Sequence, residues 1–134
     1  VPATSYDYAI VRVVPRVERG ECINIGVLLF CRTRRFLGMR VHLDMKRLQA
    51  LAPDLELTLF QQQVAHLECV CQGNADSGPI GQLSQSERFH WLVSPRSTIV
   101  QCSPVHSGLC TDPEAALDNL LKKLVLPLQG AYDL

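Results

Sequence analysis

The run CINIGVLLFCRTRRFLGMRVHL, Cys22 to Leu43, decides the architecture. Cys22 to Cys31 is rich in β-branched and apolar residues and reads as a strand. Its apolar residues fall on both faces, with Ile23, Ile25, Val27 and Leu29 set against Leu28 and Phe30, so both sides of this strand are expected to be covered. In Phe36 to Leu43 the residues Leu37, Met39, Val41 and Leu43 alternate with Phe36, Gly38, Arg40 and His42, the period of a strand with one buried and one more polar face. The short Arg32 to Arg35 turn makes the two a hairpin. Upstream, Tyr6 to Val14 has the same strand character and joins through the Pro15 to Glu21 loop, giving an N-terminal antiparallel meander.

The rest of the chain turns helical. Asp44 caps a short helix that Pro53 stops. Leu57, Phe60, Val64, Leu67 and Cys71 recur at steps of three and four and predict an amphipathic helix ending near Gly73, with Gln61, Gln62, His66 and Glu68 pointing away. Gly73 to Gly81 reads as a surface loop. Ser84 and Glu87 match a capping box, while Phe89, Trp91 and Val93 alternate like a strand, so Gln85 to Val93 fits either state. Thr98 to Cys102 reads as a strand and Ser103 to Thr111 as irregular connection. Asp112 and Pro113 open a last helix, with Leu117, Leu120, Leu121 and Leu124 inward and Lys122 and Lys123 at its negative end. The expected fold is α+β: an antiparallel sheet of four to five strands with three to four helices packed on it, in a single domain over 1–134. Its core is expected to span about 6–126, between short flexible tails.

Among the 134 residues 47% are hydrophobic and 19% charged, which excludes a disordered tail or a stapled mini-protein. The longest apolar run, Ile25 to Cys31, is far below the roughly 20 residues of a membrane span, and no basic-then-apolar leader opens the sequence. Six cysteines lie mostly in apolar segments and no Cys-x-x-Cys occurs, which suits thiols in a reducing cytoplasm. Net charge is zero, yet nine basic residues against three acidic ones between Arg12 and Arg47 give a basic flank, and Leu48 to Glu87 holds no Lys or Arg.

Segments in the order Tyr8-Ala9-Ile10-Val11-Arg12-Val13-Val14-Pro15, Arg19-Gly20-Glu21, Asn24-Ile25-Gly26-Val27, Arg88-Phe89-His90-Trp91-Leu92, Pro95-Arg96-Ser97-Thr98 and His106-Ser107-Gly108 resemble a bacterial family, domain of unknown function 3037. The resemblance spans about Tyr6 to Leu124. It implies no established activity. It does imply a neighbourhood of kinase-like proteins resembling the HipA toxin, and hence a kinase-like protein partner.

Three groups of residues carry candidate chemistry. Arg16, Arg19 and Glu21, with Asn24 just inside the next strand, could grip a phosphate or carboxylate; the plainer reading is a solvated loop with internal Arg–Glu pairs and an Asn24 amide tied to the adjacent loop. Arg88, His90, Arg96, Ser97, Thr98 and His106 would suit a phosphate or nucleotide group if their segments met, with His90 or His106 as acid or base. The plainer reading is a turn with structural histidines. Cys102, His106 and Cys110 could offer sulfur, nitrogen and sulfur to zinc, with Cys69, Cys71 or His42 as a fourth ligand, but the spacing matches no closed zinc motif, and neither metal nor cofactor is expected. The sequence has no Gly-rich phosphate loop, no Gly-x-Ser-x-Gly elbow and no His-Glu-x-x-His pair, while a Ser-His-Asp triad, whose members need not be neighbours in the chain, stays open and nothing points to one. The leading expectation is therefore a non-enzymatic protein-interaction module, ahead of a phosphate- or nucleotide-binding domain or enzyme using the Arg/His site. Third comes nucleic-acid binding through Arg32, Arg34, Arg35 and Arg40, which would weaken steeply with salt.

Overall fold

The computed structural model describes residues 2–96 and 98–127. Strands β1 (Thr4–Val13), β2 (Ile23–Cys31), β3 (Phe36–Val41), β4 (Val100–Cys102) and β5 (His106–Cys110) form one antiparallel sheet. Helices α1 (Met45–Leu51), α2 (Leu57–Gln72), α3 (Gln85–Val93) and α4 (Pro113–Leu124) pack on it. The meander runs β3-β2-β1, and the far side of β1 is shared by β4 along one half and β5 along the other. The α+β architecture expected from the sequence is the one observed.

Apolar residues on both faces of β2 serve two separate cores. Ile23, Ile25, Leu28 and Phe30 face Leu48 of α1, Phe60, Val64 and Leu67 of α2, and Phe89 and Leu92 of α3. Val27, Leu29 and Cys31 face Leu117 and Leu120 of α4. Ile25 and Leu28 share a face although three residues apart because β2 bulges: Val11 pairs with Gly26 but Arg12 pairs with Asn24, leaving Ile25 as the extra residue. Gly26 beside it has no room for a side chain, since a Cβ would sit 2.6 Å from the Arg40 carbonyl oxygen. In β3 the more polar face is also covered. A Cβ on Gly38 would meet Leu117 at 2.9 Å, and Arg40 pairs with Asp118 (3.2 Å) and Glu114 (3.8 Å) of α4.

The helix ends follow sequence chemistry. The Asp44 side chain accepts from the Arg47 amide, Gly73 closes α2 at φ +71°, and Asp112 accepts from the Glu114 amide. A complete Ser84/Glu87 capping box makes Gln85–Val93 a helix, and Phe89 then stacks on Phe30 at 5.4 Å between centroids. The Gly73 to Gly81 loop contains two short 3-10 turns, Ala75–Ser77 and Pro79–Gln82.

One expected irregular stretch proves to be a strand. Within Ser103 to Thr111, β5 pairs with β1 from Tyr8↔His106 to Thr4↔Cys110. As an edge strand it leaves His106, Ser107 and Leu109 exposed, so it lacks the alternation that marks a buried strand. Between β4 and β5 the edge bulges, with residues 103–105 opposite Ala9 and Ile10. Ser103 holds that bulge: its amide donates to the Ile10 carbonyl (2.8 Å), its Oγ accepts from the Ile10 amide (2.8 Å), and the same hydroxyl donates to the Pro104 carbonyl (2.9 Å).

Candidate functional site

A groove of about 850 Å3 separates the Pro15 to Glu21 loop from the α1–α2 connection. Pro15, Leu51, Ala52, Pro53, Leu55 and Ile99 contribute its apolar lining. Its rim alternates in sign. Arg16 reaches Asp54 at 3.4 Å with both side chains mostly exposed, Arg19 pairs with Glu21, and Glu56 lies nearby. The hydrogen bond from Arg19 holds the Glu21 carboxyl below its ordinary pKa and raises that of Arg19 itself. Such exposed pairs contribute little to stability and exchange readily for other partners. Asn24 is not part of this groove. The β2 bulge places it opposite Arg12, and its amide donates to the Leu124 carbonyl at 3.0 Å, at the end of α4 rather than in the adjacent loop.

Arg88 and Arg96 serve helix ends. Arg88 donates through Nη1 to the Leu83 carbonyl (2.7 Å) and through Nη2 to that of Cys71 (3.4 Å), next to Gly73, fastening α3 to the end of α2. Arg96 donates to the carbonyls of Leu92 (3.0 Å) and Trp91 (2.7 Å) and lies 4.5 Å over the Trp91 ring. Partial burial lowers its pKa. His90 is exposed and bonds through Nδ1 to the Ser86 carbonyl at 2.7 Å, and Thr98 donates to the Val100 carbonyl at 2.9 Å. Ser97 lies outside the described residues.

His106 is placed elsewhere. Its ring lies 5.4 Å from that of Tyr8, which packs with the α4-side core, whereas Trp91 under Arg96 packs with the core on the opposite face of the sheet. The expected cleft joining Arg88, His90, Arg96 and His106 is therefore not assembled, because the sheet stands between Arg96 and His106. The same division separates Cys102, whose Sγ donates to the Leu92 carbonyl at 3.4 Å, from His106. Among the described residues no three His, Cys, Asp or Glu side chains converge. On the basic flank, Arg40 is neutralised by α4, while Arg32 donates to Ser86 Oγ (3.3 Å) and Arg34 to the Pro2 carbonyl (2.9 Å).

A smaller cavity, of about 190 Å3, escaped the sequence reading. It lies between Gln63, His66 and Leu67 of α2, Trp91 of α3, and Arg96, Thr98 and Val100. His66, expected to point to solvent, is exposed but meets the Trp91 ring edge-on at 5.9 Å. Nothing local in the sequence joins these three segments.

A family model described as "Protein of unknown function (DUF3037)" matches residues 8–125. The chain belongs to this family. Searches among curated proteins and among solved structures returned no match. The part matched to DUF3037 takes in β2 to β5 whole, all four helices, the groove and the small cavity. No helix among its described residues is long and apolar enough to cross a membrane.

The thiols of this DUF3037 member differ sharply in surroundings. Cys22 is exposed, whereas burial pushes Cys71 up to about 12 and Cys102 up to about 11. The unfolded chain ionises both near the usual value of 9.0. Folded pKa values above unfolded ones mean that the associated stability is complete below about pH 9 and disappears as pH rises through 11 to 12. Urea midpoints under reducing conditions are expected to fall above about pH 9, and less steeply in Cys71→Ala. Equal slopes in the two proteins would remove Cys71 as a cause.

Proposed function

We propose that this DUF3037 member is a non-enzymatic accessory module that binds another protein through the groove beside Arg16 and Arg19. The observation that carries the reading is the groove's make-up: apolar side chains interleaved with charged ones of both signs, a mixture of the kind protein interfaces present. Its occupant is an extended segment of the partner bearing both an acidic and a basic side chain, which would exchange with the Arg16–Asp54 and Arg19–Glu21 pairs. The family resemblance supports a kinase-like protein as that partner. Free thiols at Cys31 and Cys71, both buried in the core, support a reducing bacterial cytoplasm as the setting.

The test reverses the rim. Arg16→Glu with Arg19→Glu is expected to weaken partner capture from host extract, and binding of the purified partner, by about tenfold, since two rim charges turn from attraction to repulsion. The thermal midpoint should stay within about 2 °C, as both side chains are exposed. Undiminished binding would remove the groove from the interface.

A further inference from the structure

The two free edges of the sheet are protected differently. β3 is flanked by α2 and α4, and its Arg40 is held by α4. Among the described residues β5 pairs with β1 alone, and His106, Ser107 and Leu109 are exposed, Leu109 to 74%. The even-numbered residues of β1 turn their backbone groups toward this edge, as the bonds of Ile10 to Ser103 and of Val14 to Ile99 show. Tyr8, Tyr6 and Thr4 therefore bond His106, Gly108 and Cys110, which leaves the amides and carbonyls of Ser107 and Leu109 pointing outward. Charged side chains or proline commonly guard an edge of this kind. Residues 97–111 contain no Asp, Glu, Lys or Arg, and their one proline, Pro104, precedes the strand.

The tip of the Tyr6 ring covers Gly108: a Cβ there would meet the Tyr6 hydroxyl oxygen at 2.5 Å and Cζ at 2.6 Å. Tyr6 thus leans from β1 across β5, with its hydroxyl end toward the rim of the sheet. We infer that two copies of the chain join through β5, antiparallel about a two-fold axis between Gly108 and its symmetry mate, into one continuous sheet. In that register Ser107 of each copy faces Leu109 of the other, and these are the residues whose free backbone groups point outward. The glycines meet as a non-hydrogen-bonded pair, about 4.5 Å apart at Cα, and the two Tyr6 hydroxyl ends come together over the axis. A two-fold contact uses the same patch twice, so an uncharged strand with a ring-covered glycine at its centre is complementary to itself. This surface is independent of the groove, to whose lining β5 contributes nothing.

Sedimentation velocity of the purified chain is expected to show a reversible monomer–dimer equilibrium between micromolar and millimolar concentrations. Leu109→Pro removes an outward amide that the pairing with β1 does not use, once in each copy, and should weaken the dimer about tenfold or more. Leu109→Lys sets two cations near the axis at a side chain that is 74% exposed; it should also dissociate the dimer, with far-UV circular dichroism unchanged, and so tests the edge even where the proline variant fails to fold. Photo-oxidation with a ruthenium complex and persulfate should give a covalent dimer whose cross-linked peptide carries Tyr6 from both copies, and Tyr6→Phe should abolish it. A monomer throughout the concentration range, or a dimer unaffected by Leu109→Lys, would overturn the assignment. So would protection of the Ser107 and Leu109 amides from hydrogen exchange that appears only when a different protein is added, since the edge would then belong to that protein.

Discussion

Replacing Phe60 by alanine is expected to destabilise the fold by about 3–5 kcal/mol, the range for deleting a buried aromatic ring from a close-packed core. Phe60 is 2% exposed and lies on the inward face of α2 with Val64 and Leu67, in the core that joins all three helices of that layer to the sheet. Leu59, its neighbour, is 51% exposed, and Leu59→Ala should change stability by no more than about 0.5 kcal/mol. Urea unfolding of the pair isolates packing from helix propensity, since both substitutions put alanine into the same turn. Domains of this size are typically stable by only about 5–15 kcal/mol, so Phe60→Ala removes a large share of the total. If the groove binds a protein as proposed, that binding should weaken too, because the N-cap of α2, Glu56, lines the groove. An unmoved urea midpoint would show that α2 is not seated on the sheet through this ring.

Ser103→Ala should cost about 1–3 kcal/mol, the penalty for leaving a buried polar group unpaired. Ser103 is 3% exposed and Ile10 is 9% exposed, so the Ile10 amide that loses the Ser103 hydroxyl has little access to water. The effect has a local signature: hydrogen exchange at the Ile10 amide should accelerate about tenfold or more relative to amides elsewhere in β1. Ser107→Ala is the control. Its hydroxyl donates to Asp7 at 2.9 Å on the exposed side of the same edge, and its loss should cost no more than about 0.5 kcal/mol. Unchanged Ile10 exchange in Ser103→Ala would mean that the bulge does not depend on the hydroxyl.

Much of the architecture was legible because its signals are local. The alternation through Leu37, Met39 and Val41, and the terminal residues Asp44, Gly73, Ser84 with Glu87, and Asp112 with Pro113, act within a few positions of themselves. What escaped depends on distant segments meeting. β5 is stabilised by main-chain bonds to a strand about 100 residues earlier, so its own side chains need no pattern. Arg88 and Arg96 looked like anion ligands because a guanidinium is suited to that task, and only the folded chain shows the backbone carbonyls they meet. Asn24 was misplaced by one extra residue in β2. One side of the groove was visible at Arg16, Arg19 and Glu21, but Asp54, Glu56 and the apolar Leu51, Ala52, Pro53 and Leu55 arrive from α1 and the connection after it, and Ile99 from the approach to β4.

The central place of β1 sets the timing of assembly on the ribosome. Residues 4–13 find β2 soon after leaving the exit tunnel, yet their other neighbours are residues 100–110. At roughly 5–20 residues per second, Val13 precedes His106 by roughly 5–20 s of translation. Throughout that interval one flank of β1 has unpaired amides and carbonyls beside the apolar side chains of Ala9, Ile10 and Val11. The nascent chain therefore presents an open strand to chaperones until residues 100–110 have emerged.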